Sequence, residues 1–169
     1  PKYKARVWDG KIRLLNSRNM QVYAGLVQEI QNFCEERGYS LDVDPELIET
    51  EEFSLAEAKE FAGTLGLRFP PYDHQLRAFA LAVRNSRGIL ISPTASGKSL
   101  IIYSIVQYYK KRTLIIVPTV SLVSQMASDF ESYGYKKEIH KIYSGVDKTI
   151  DTDIVISTWQ SIYKMPKSW

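Results

Sequence analysis

Apolar residues follow two different patterns along this chain. Short apolar runs at 89–91, 113–117, 139–143 and 154–157 predict four buried strands. Between these runs, apolar positions recur every three or four residues, which predicts amphipathic helices. Strands that alternate with helices form a parallel sheet with helices on both faces. The pattern therefore predicts an α/β fold with functional side chains at the carboxyl ends of its strands.

The first part of the chain has shorter elements. Residues 5–14 alternate imperfectly about Asp9 and Gly10, and an Asp-Gly pair favours the turn of a β-hairpin. Three further elements are predicted after it: a turn at 16–19, a helix that Gly38 ends, and a strand at 39–43. These elements predict a small α/β unit that carries a basic hairpin.

The sequence also indicates where one domain ends and the next begins. Ser54 and Glu57 have the spacing of a capping box, which predicts a helix from Ser54 to about residue 65. Paired prolines at 70–71 interrupt the chain, and Asp73 is placed to cap the helix that follows. We therefore expect a small basic α/β domain over residues 1–67 and a second domain over residues 68–169.

Composition is that of a soluble globular protein. Of the 169 residues, 44% are hydrophobic and 24% are charged. No apolar run approaches the ~18 residues that a membrane span requires, and no secretory signal opens the sequence. The single cysteine, Cys34, excludes an internal disulfide, and the sequence has no Cys/His cluster for zinc. These features favour the cytoplasm.

The net charge of +3 is unevenly distributed. The first 18 residues carry one acid, Asp9, against six bases: Lys2, Lys4, Arg6, Lys11, Arg13 and Arg18. Trp8 lies among them. Basic side chains on a strand with aromatic residues nearby suit contact with phosphates and stacking on unpaired bases. A solvated strand face with Trp8 in the core explains the pattern equally well, so both interpretations stay open here.

The strongest chemical signal is the sequence Ser-Pro-Thr-Ala-Ser-Gly-Lys-Ser at 92–99, between a predicted strand and a predicted helix. Backbone N–H groups at a helix start lack partners within the helix and bind phosphate. Small residues let this backbone curl closely around phosphate oxygens, so the candidate nucleotide-binding residues of the loop are Thr94, Ala95, Ser96 and Gly97. Lys98 would reach the β- and γ-phosphates, and the Ser99 hydroxyl would ligate Mg²⁺.

One residue departs from the usual pattern, and one alternative interpretation remains. Ser92 stands where the usual pattern has Gly or Ala. In the alternative interpretation, Gly97 merely ends a turn and Lys98 is a solvated lysine. A lysine in the first turn of a helix is unfavourable beside the helix dipole, however, so an anion is expected nearby.

A second candidate for nucleotide contact precedes the loop. Gln75 falls in the first turn of the helix that Asp73 begins, and a glutamine amide can pair with the N6/N7 edge of adenine. That pairing would give a preference for ATP. The alternative is an exposed polar residue with no such role.

In order along the chain, four segments resemble the first motifs of superfamily 2 helicases. They are residues 72–75 (the Q motif), 92–99 (motif I), 116–119 with Leu122 and Gln125 (motif Ia), and 156–160 (motif Ic). Residues 8–15, 25–27 and 33–34 are similar to the phage recombination helicases of this superfamily. The resemblance covers nearly the whole chain.

The resemblance implies a partial RecA-like domain of the P-loop NTPase class and an ATP- and Mg²⁺-dependent motor. Such a motor unwinds or branch-migrates forked and junction DNA in recombination, repair and replication. Gln75 would read adenine, with Tyr72 near the base. Nucleic-acid contacts would come from Arg6, Trp8, Lys11, Arg13, Pro118, Thr119, Gly145, Thr158 and Trp159. The expected partners are single-stranded and branched DNA and phage replication or recombination proteins, with the protein itself a monomer.

The superfamily's Asp-Glu-x-His motif does not occur in the 169 residues. We therefore expect this chain to be the N-terminal portion of a helicase that binds ATP without turning it over by itself. Two alternatives remain at this point. One is a complete small P-loop kinase or NTPase, and the other is a nucleic-acid-binding module whose nucleotide site is vestigial.

Overall fold

The computed structural model describes residues 9–47, 52–143 and 152–163. The chain divides into two compact units, Pro1–Thr50 and Glu51–Trp169. This division lies upstream of the expected boundary at residue 67. The reason is that the helix at Leu55–Thr64 packs against the helix at Asp73–Asn85, and so belongs to the second unit.

The first unit contains one α-helix in its described part, α1 at Val27–Arg37, between 3-10 turns at Ala24–Leu26 and Pro45–Leu47. Gly38 ends α1 as predicted, with a φ of 67° that suits glycine. An isolated antiparallel bridge joins Asn16 to Gln21 across the predicted turn.

The strands predicted for this unit are not formed in its described residues. Residues 9–14 and 39–43 are irregular, and the other half of the predicted hairpin lies outside the described ranges. At the second segment, the N–H of Tyr39 donates to the carbonyl of Cys34 at 2.9 Å. That bond completes the end of α1 and uses a donor that a sheet ladder would need. The prediction of a strand at 39–43 was therefore wrong.

The second unit is a mixed α/β structure with three parallel strands among its described residues. Its elements in chain order are α2 at Leu55–Thr64, α3 at Asp73–Asn85, α4 at Lys98–Tyr109, β1 at Thr113–Val117, α5 at Val120–Ser132, β2 at Ile139–Ile142, β3 at Ile154–Thr158 and α6 at Trp159–Ile162. The predicted capping box at Ser54 and Glu57 is confirmed. Asp73 is the first residue of α3, and Tyr72 takes the capping position expected of Asp73.

The strands lie in the order β1-β3-β2, so β3 is central. Every residue of β3 is buried, as expected for a strand that has neighbours on both sides. Val117 pairs with Thr158 at the carboxyl end of the β1–β3 ladder, and Ile142 pairs with Ser157 in the β2–β3 ladder. Helix α5 packs against all three strands and contributes its apolar face, centred on Phe130, to the main core.

The strand predicted at 89–91 is not formed. Ile89 and Ile91 are each 93% exposed, and the segment has no ladder partner among the described residues. Apolar content alone does not hold a strand, because its backbone groups need a neighbouring strand to pair with. The loop that follows is therefore preceded by an extended, exposed segment rather than by a strand of the sheet.

A second apolar cluster joins α2, α3 and α4. Its buried members are Phe53, Ala58, Phe79, Ala80 and Val83. The rings of Phe53 and Phe79 meet edge to face at 5.4 Å between centroids, and that arrangement is favourable for aromatic pairs. The cluster fixes α3 beside α4, which brings the start of α3 to the loop at the start of α4. No helix in the described ranges is long and apolar enough to cross a membrane.

Candidate nucleotide-binding site

The loop at 92–97 has a backbone shape suited to an anion. Ala95 and Gly97 have φ values of 64° and 75°, whereas Ser96 between them lies outside the left-handed region. Such alternation of backbone handedness turns successive N–H groups toward a common side. Gly97 is also the N-cap of α4, so the positive end of the helix dipole lies at the same place.

Lys98 is folded back over this loop. Its Nζ donates to the carbonyl of Pro93 at 2.7 Å and to that of Ser92 at 3.3 Å. The Ser92 and Ser96 hydroxyls are hydrogen-bonded to one another across the same turn. The ammonium group therefore lies beside the turn at Ala95–Gly97 with carbonyl oxygens as its acceptors. Phosphate oxygens carry more negative charge than carbonyl oxygens and would be stronger acceptors for it.

Helix α3 holds the loop through two side chains. The Gln75 Nε2 donates to the carbonyl of Ser96 at 3.1 Å, while the Gln75 Oε1 accepts from the N–H of Tyr72 at 2.9 Å. The His74 Nε2 lies 3.0 Å from the same Ser96 oxygen. Gln75 is only 7% exposed, so it is not the exposed polar residue of the alternative interpretation.

A cavity of about 570 Å³ opens beside Gln75. It is lined by Leu67, Arg68, Phe69, Pro70, Tyr72, Gln75, Leu100, Ser132 and Tyr133. The mix of apolar rings and few polar groups is typical of pockets for flat organic ligands. Tyr72 is mostly exposed and stacks on His74 with an interplanar angle of 12°. The cavity thus lies within reach of both the loop and the glutamine predicted to read adenine.

Ser99, the predicted metal ligand, is the second residue of α4 and is half-buried. Its hydroxyl is hydrogen-bonded to the hydroxyl of Tyr133 at 3.0 Å. A serine hydroxyl is an oxygen ligand of the kind Mg²⁺ accepts, and Mg²⁺ bound with a nucleotide takes its other ligands from phosphates and water. Within the described ranges, no group of three or more His, Cys, Asp or Glu side chains could hold a metal ion. Ser99 therefore fits as one ligand of a nucleotide-bound Mg²⁺.

The predicted nucleic-acid residues of the second unit lie partly together. Because Val117 pairs with Thr158, Pro118 and Trp159 follow neighbouring strand ends at one edge of the sheet. Trp159 is 54% exposed, whereas Thr158 is buried and its hydroxyl is bonded to that of Ser161. The Thr158 side chain is therefore directed to α6, and its contact with a ligand would be through the backbone.

Thr119 completes this edge. It is exposed and caps α5, accepting a hydrogen bond from the N–H of Leu122 at 3.4 Å, as its sequence position predicts. Its hydroxyl also lies 2.9 Å from that of Ser121. Gly145, the remaining candidate in this unit, lies outside the described residues.

In the first unit, Lys11 and Arg13 are exposed. The Arg13 Nη2 pairs with the Asp9 Oδ2 at 2.6 Å, and the backbone N–H of Lys11 donates to the other oxygen of Asp9. The Arg13 side chain, followed by the Lys11 backbone, holds the pKa of Asp9 below its usual value. Arg6 and Trp8 lie outside the described residues, so the choice between a core and a stacking role for Trp8 stays open.

Two family profiles match nearly the whole sequence. Residues 46–168 match the family described as type III restriction enzyme, res subunit, and residues 1–44 match the one described as DNA helicase UvsW, N-terminal. The chain belongs to this res-subunit family of superfamily 2 helicases. The division between the two matches falls close to the division between the two compact units.

Individual relatives agree with the family match. It is 37% identical to the ATP-dependent DNA helicase uvsW of Enterobacteria phage T4, over all of this chain and 36% of that protein. It is 28% identical to the DNA 3'-5' translocase XPB2 of Sulfurisphaera tokodaii, over 69% of this chain and 25% of that one. The chain thus spans about a third of the first relative and a quarter of the second.

Solved structures agree on the fold of the helicase chain. The crystal structure of the UvsW helicase from bacteriophage T4 superposes with a TM-score of 0.87 at 35% identity, over all of this chain and 65% of that one. A second T4 UvsW structure gives the same TM-score and covers 37% of its longer chain. The predicted α/β architecture, a partial RecA-like parallel sheet, is therefore confirmed.

Sequence reasoning did not identify two side chains of the candidate site. His74 contacts the loop at 92–97, and its place beside Gln75 in the segment that resembles the Q motif was the available signal. Tyr133 touches Ser99 from 34 residues away along the chain. No local pattern marks such a contact, because it depends on how α5 packs against α4.

Proposed function

We propose that this chain is the nucleotide-binding N-terminal portion of an ATP-dependent DNA helicase. The observation that carries the proposal is the convergence of Gln75 and Lys98 on one loop. Both donate to carbonyls of the segment from Ser92 to Ser96, although they lie on different helices. A lysine, a helix start and an organic-ligand cavity at one place suit a nucleoside triphosphate.

The base would occupy the cavity beside α3. Its walls include the Tyr72 ring and the apolar Leu67 and Leu100 side chains, which suit a flat aromatic base. The Gln75 amide lies at the boundary between cavity and loop, and exchanging its present partners for the adenine N6/N7 edge would select ATP.

The phosphates would occupy the turn at Ala95–Gly97. There the backbone N–H groups of the turn and the start of α4 would bind oxygen atoms, and Lys98 would exchange its two carbonyl acceptors for the β- and γ-phosphates. Ser99 would supply one ligand to Mg²⁺, which when bound neutralises phosphate charge. The chain's own groups thus bind and orient the nucleotide.

DNA would contact the sheet edge formed by Pro118, Thr119 and Trp159, and the basic residues Lys11 and Arg13 of the first unit. Hydroxyl, amide and guanidinium contacts to phosphates fix the position of a strand without reading its sequence. The support is the exposure of these groups and the kinship with proteins named as a DNA helicase and a DNA translocase. We extend the proposal to forked and junction DNA in recombination, repair and replication.

We further propose that the protein acts as a monomer in the cytoplasm of a host cell, with phage replication or recombination proteins as partners. The support is the similarity to a phage T4 helicase over the whole chain. Sedimentation of the protein with and without forked DNA tests the monomer. A dimer in the absence of DNA would contradict it.

The test of the nucleotide site is ATP binding and hydrolysis by the 169-residue chain, with and without single-stranded and forked DNA. We expect Mg²⁺-dependent binding of ATP and no sustained turnover, because the sequence lacks an Asp-Glu-x-His motif to orient the attacking water. Multiple turnovers would overturn the helicase-portion proposal in favour of a small complete P-loop enzyme.

A lysine pair gives the matched comparison. Lys98→Ala should abolish most ATP binding while DNA binding persists, because the variant removes the side chain whose ammonium group would bind the phosphates and leaves the DNA-contacting residues in place. Lys59→Ala removes the same charge from the exposed face of α2 and should change neither ATP binding nor DNA binding. If Lys98→Ala leaves ATP binding unchanged, the nucleotide site is vestigial and the proposal fails.

A further inference from the structure

The geometry points to Tyr133 as the positioning residue for Ser99. We propose that the Tyr133 hydroxyl oxygen accepts a hydrogen bond from the Ser99 hydroxyl and so turns the Ser99 lone pairs toward a nucleotide-bound Mg²⁺. This inference rests on the proposed function, because it assigns a role in the same site. It adds a residue that no sequence motif indicates.

The Tyr133 side chain is held in place from within the core. Its ring packs against Tyr103 with centroids 5.4 Å apart, and Tyr103 packs edge to face on Phe130 at 5.2 Å. Tyr103 is buried and lies four residues, one helical turn, beyond Ser99 on α4. The phenol is therefore fixed over the same face of α4 that carries Ser99, and this accounts for the direct contact between the two hydroxyls.

The backbone of Tyr133 is fixed as well. It is the C-cap of α5, and its N–H donates to the carbonyl of Asp129 at 3.0 Å. Helix α5 in turn packs against all three strands of the sheet. A hydroxyl on such a support keeps its position when a ligand arrives, whereas a side chain on a free loop would not.

Hydrogen-bond stoichiometry then determines the orientation of Ser99. A serine hydroxyl has one proton and two lone pairs, and it can ligate a cation only through a lone pair. In the present contact either oxygen could be the donor, at a separation of 3.0 Å. Binding of Mg²⁺ selects the arrangement in which Ser99 donates to Tyr133, because the proton is then turned away from the cation. When residues that orient a metal ligand in this way are mutated, metal affinity typically falls 10- to 100-fold.

The experiment measures ADP and ATP binding to the 169-residue chain by calorimetry, in excess Mg²⁺ and in EDTA. Tyr133→Phe keeps the ring packed on Tyr103 and removes only the hydroxyl. We expect it to weaken binding in Mg²⁺ by about tenfold and to leave binding in EDTA unchanged. As a control, Tyr108→Phe removes a hydroxyl from α4, the helix that carries Ser99, at the second apolar cluster. It should leave the affinities in Mg²⁺ and in EDTA unchanged.

A double-mutant cycle tests whether Tyr133 acts through Ser99. Ser99→Ala should weaken binding in Mg²⁺, and adding Tyr133→Phe to it should have no further effect. Thermal melting of each variant checks that the fold is retained.

Three results would overturn the inference. Tyr133→Phe could leave the Mg²⁺-dependent affinity unchanged, or it could weaken binding equally in EDTA, which would place its effect in the base cavity. Finally, Tyr133→Phe could weaken nucleotide binding in Mg²⁺ by the same factor when it is added to Ser99→Ala. All three leave the nucleotide site itself standing, whereas failure of the unaltered chain to bind any nucleotide overturns both this inference and the proposed function.

Discussion

Gln75 and Ser96 are joined by a hydrogen bond of 3.1 Å from the side-chain amide to the main-chain carbonyl. The bond links the start of α3 to the loop at 92–97, and the same side chain accepts from the N–H of Tyr72 at the rim of the cavity. One buried amide therefore connects this loop to the cavity.

The first prediction follows from the two ends of this amide. Gln75→Glu keeps an acceptor for the N–H of Tyr72 but replaces the donor to Ser96 with a carboxylate oxygen, which faces a carbonyl. We expect ATP affinity to fall about tenfold or more, equivalent to ~1.4 kcal/mol, because a carboxylate cannot donate a hydrogen bond to the adenine N7 as the Gln75 amide would.

Calorimetric titration with ATP in Mg²⁺ measures this change. Gln107→Glu makes the same substitution on α4, away from the loop and the cavity, and serves as the control. An unaltered affinity in Gln75→Glu would show that Gln75 does not contact the adenine base.

A second prediction concerns Gly97. Its φ of 75° suits glycine, and a Cβ added there would lie 2.1 Å from the Gln75 Nε2. Gly97→Ala must therefore displace the Gln75 amide and hold a strained backbone at the same time. We expect a loss of about 1–3 kcal/mol in the free energy of unfolding, together with weaker ATP binding.

Chemical denaturation is the measurement for this prediction, with a second glycine as the control. Gly63 lies within α2 with open space around the position of an added Cβ. Gly63→Ala should therefore stabilise the fold by up to ~1 kcal/mol through helix propensity. A Gly97→Ala variant as stable as the unaltered chain would contradict the structure of this loop.

The loop and its partner on α3 show how far sequence reasoning extends in this protein. The motif at 92–99 could be predicted because its chemistry is local, and so could β1, which keeps its predicted bounds. The bond between Gln75 and Ser96 could not, because it depends on the packing of α3 against α4 through the cluster around Phe79. The contact between Ser99 and Tyr133 has the same origin.

The wrong strand predictions have one physical cause. Segment 89–91 is as apolar as β1, yet it lacks a ladder partner among the described residues and is exposed. Segment 39–43 loses a backbone donor to the end of α1. A strand is a property of a pair of segments, whereas a helix satisfies its own backbone, so α1, α2 and α5 were predicted more successfully.

A third prediction concerns pH. The Lys137 Nζ pairs with the Asp153 Oδ2 at 2.6 Å, and this bond, with the charge of Lys137, lowers the pKa of Asp153 below its usual value. A lowered folded-state pKa means that the carboxylate stabilises the fold above the unfolded pKa, and that this contribution disappears as pH falls through the folded value. Asp153→Asn should therefore lower the melting temperature slightly at neutral pH. It should make no difference in strong acid, where Asp153 is protonated in both the folded and the unfolded chain.

The contribution of Lys137 to stability changes with pH in the opposite direction. The bond to Asp153 raises the pKa of Lys137 above its usual value, so its contribution is complete below the unfolded pKa and disappears as pH rises through the folded pKa. The measurement compares melting curves of Asp153→Asn with those of a control, Glu60→Gln, on the exposed face of α2. Both residues of the pair are largely exposed, so the effect is small. A melting difference that persists unchanged in strong acid would exclude the ion pair as its source.

The last prediction tests the DNA role of the first unit. Arg13 is exposed and bonded to Asp9 at 2.6 Å, so a DNA phosphate would have to replace that carboxylate as its acceptor. If Arg6 and Arg13 bind phosphates, Arg6→Ala with Arg13→Ala should weaken DNA binding. It should also reduce the slope of log affinity against log salt by about 0.7 to 0.9 for each phosphate that is no longer neutralised, because fewer counterions are released.

Two further variants complete this comparison of salt slopes. Asp9→Ala is the converse change and should tighten DNA binding, since it removes the acceptor that competes with phosphate for Arg13. Lys59→Ala with Lys111→Ala removes the same charge as the double arginine variant, but from the second unit, and should leave the slope unchanged. Fluorescence anisotropy with forked DNA across a salt series gives all four slopes. Equal slopes for the arginine variant and the unaltered chain would exclude phosphate binding at these positions, because each neutralised phosphate releases counterions that the slope must record.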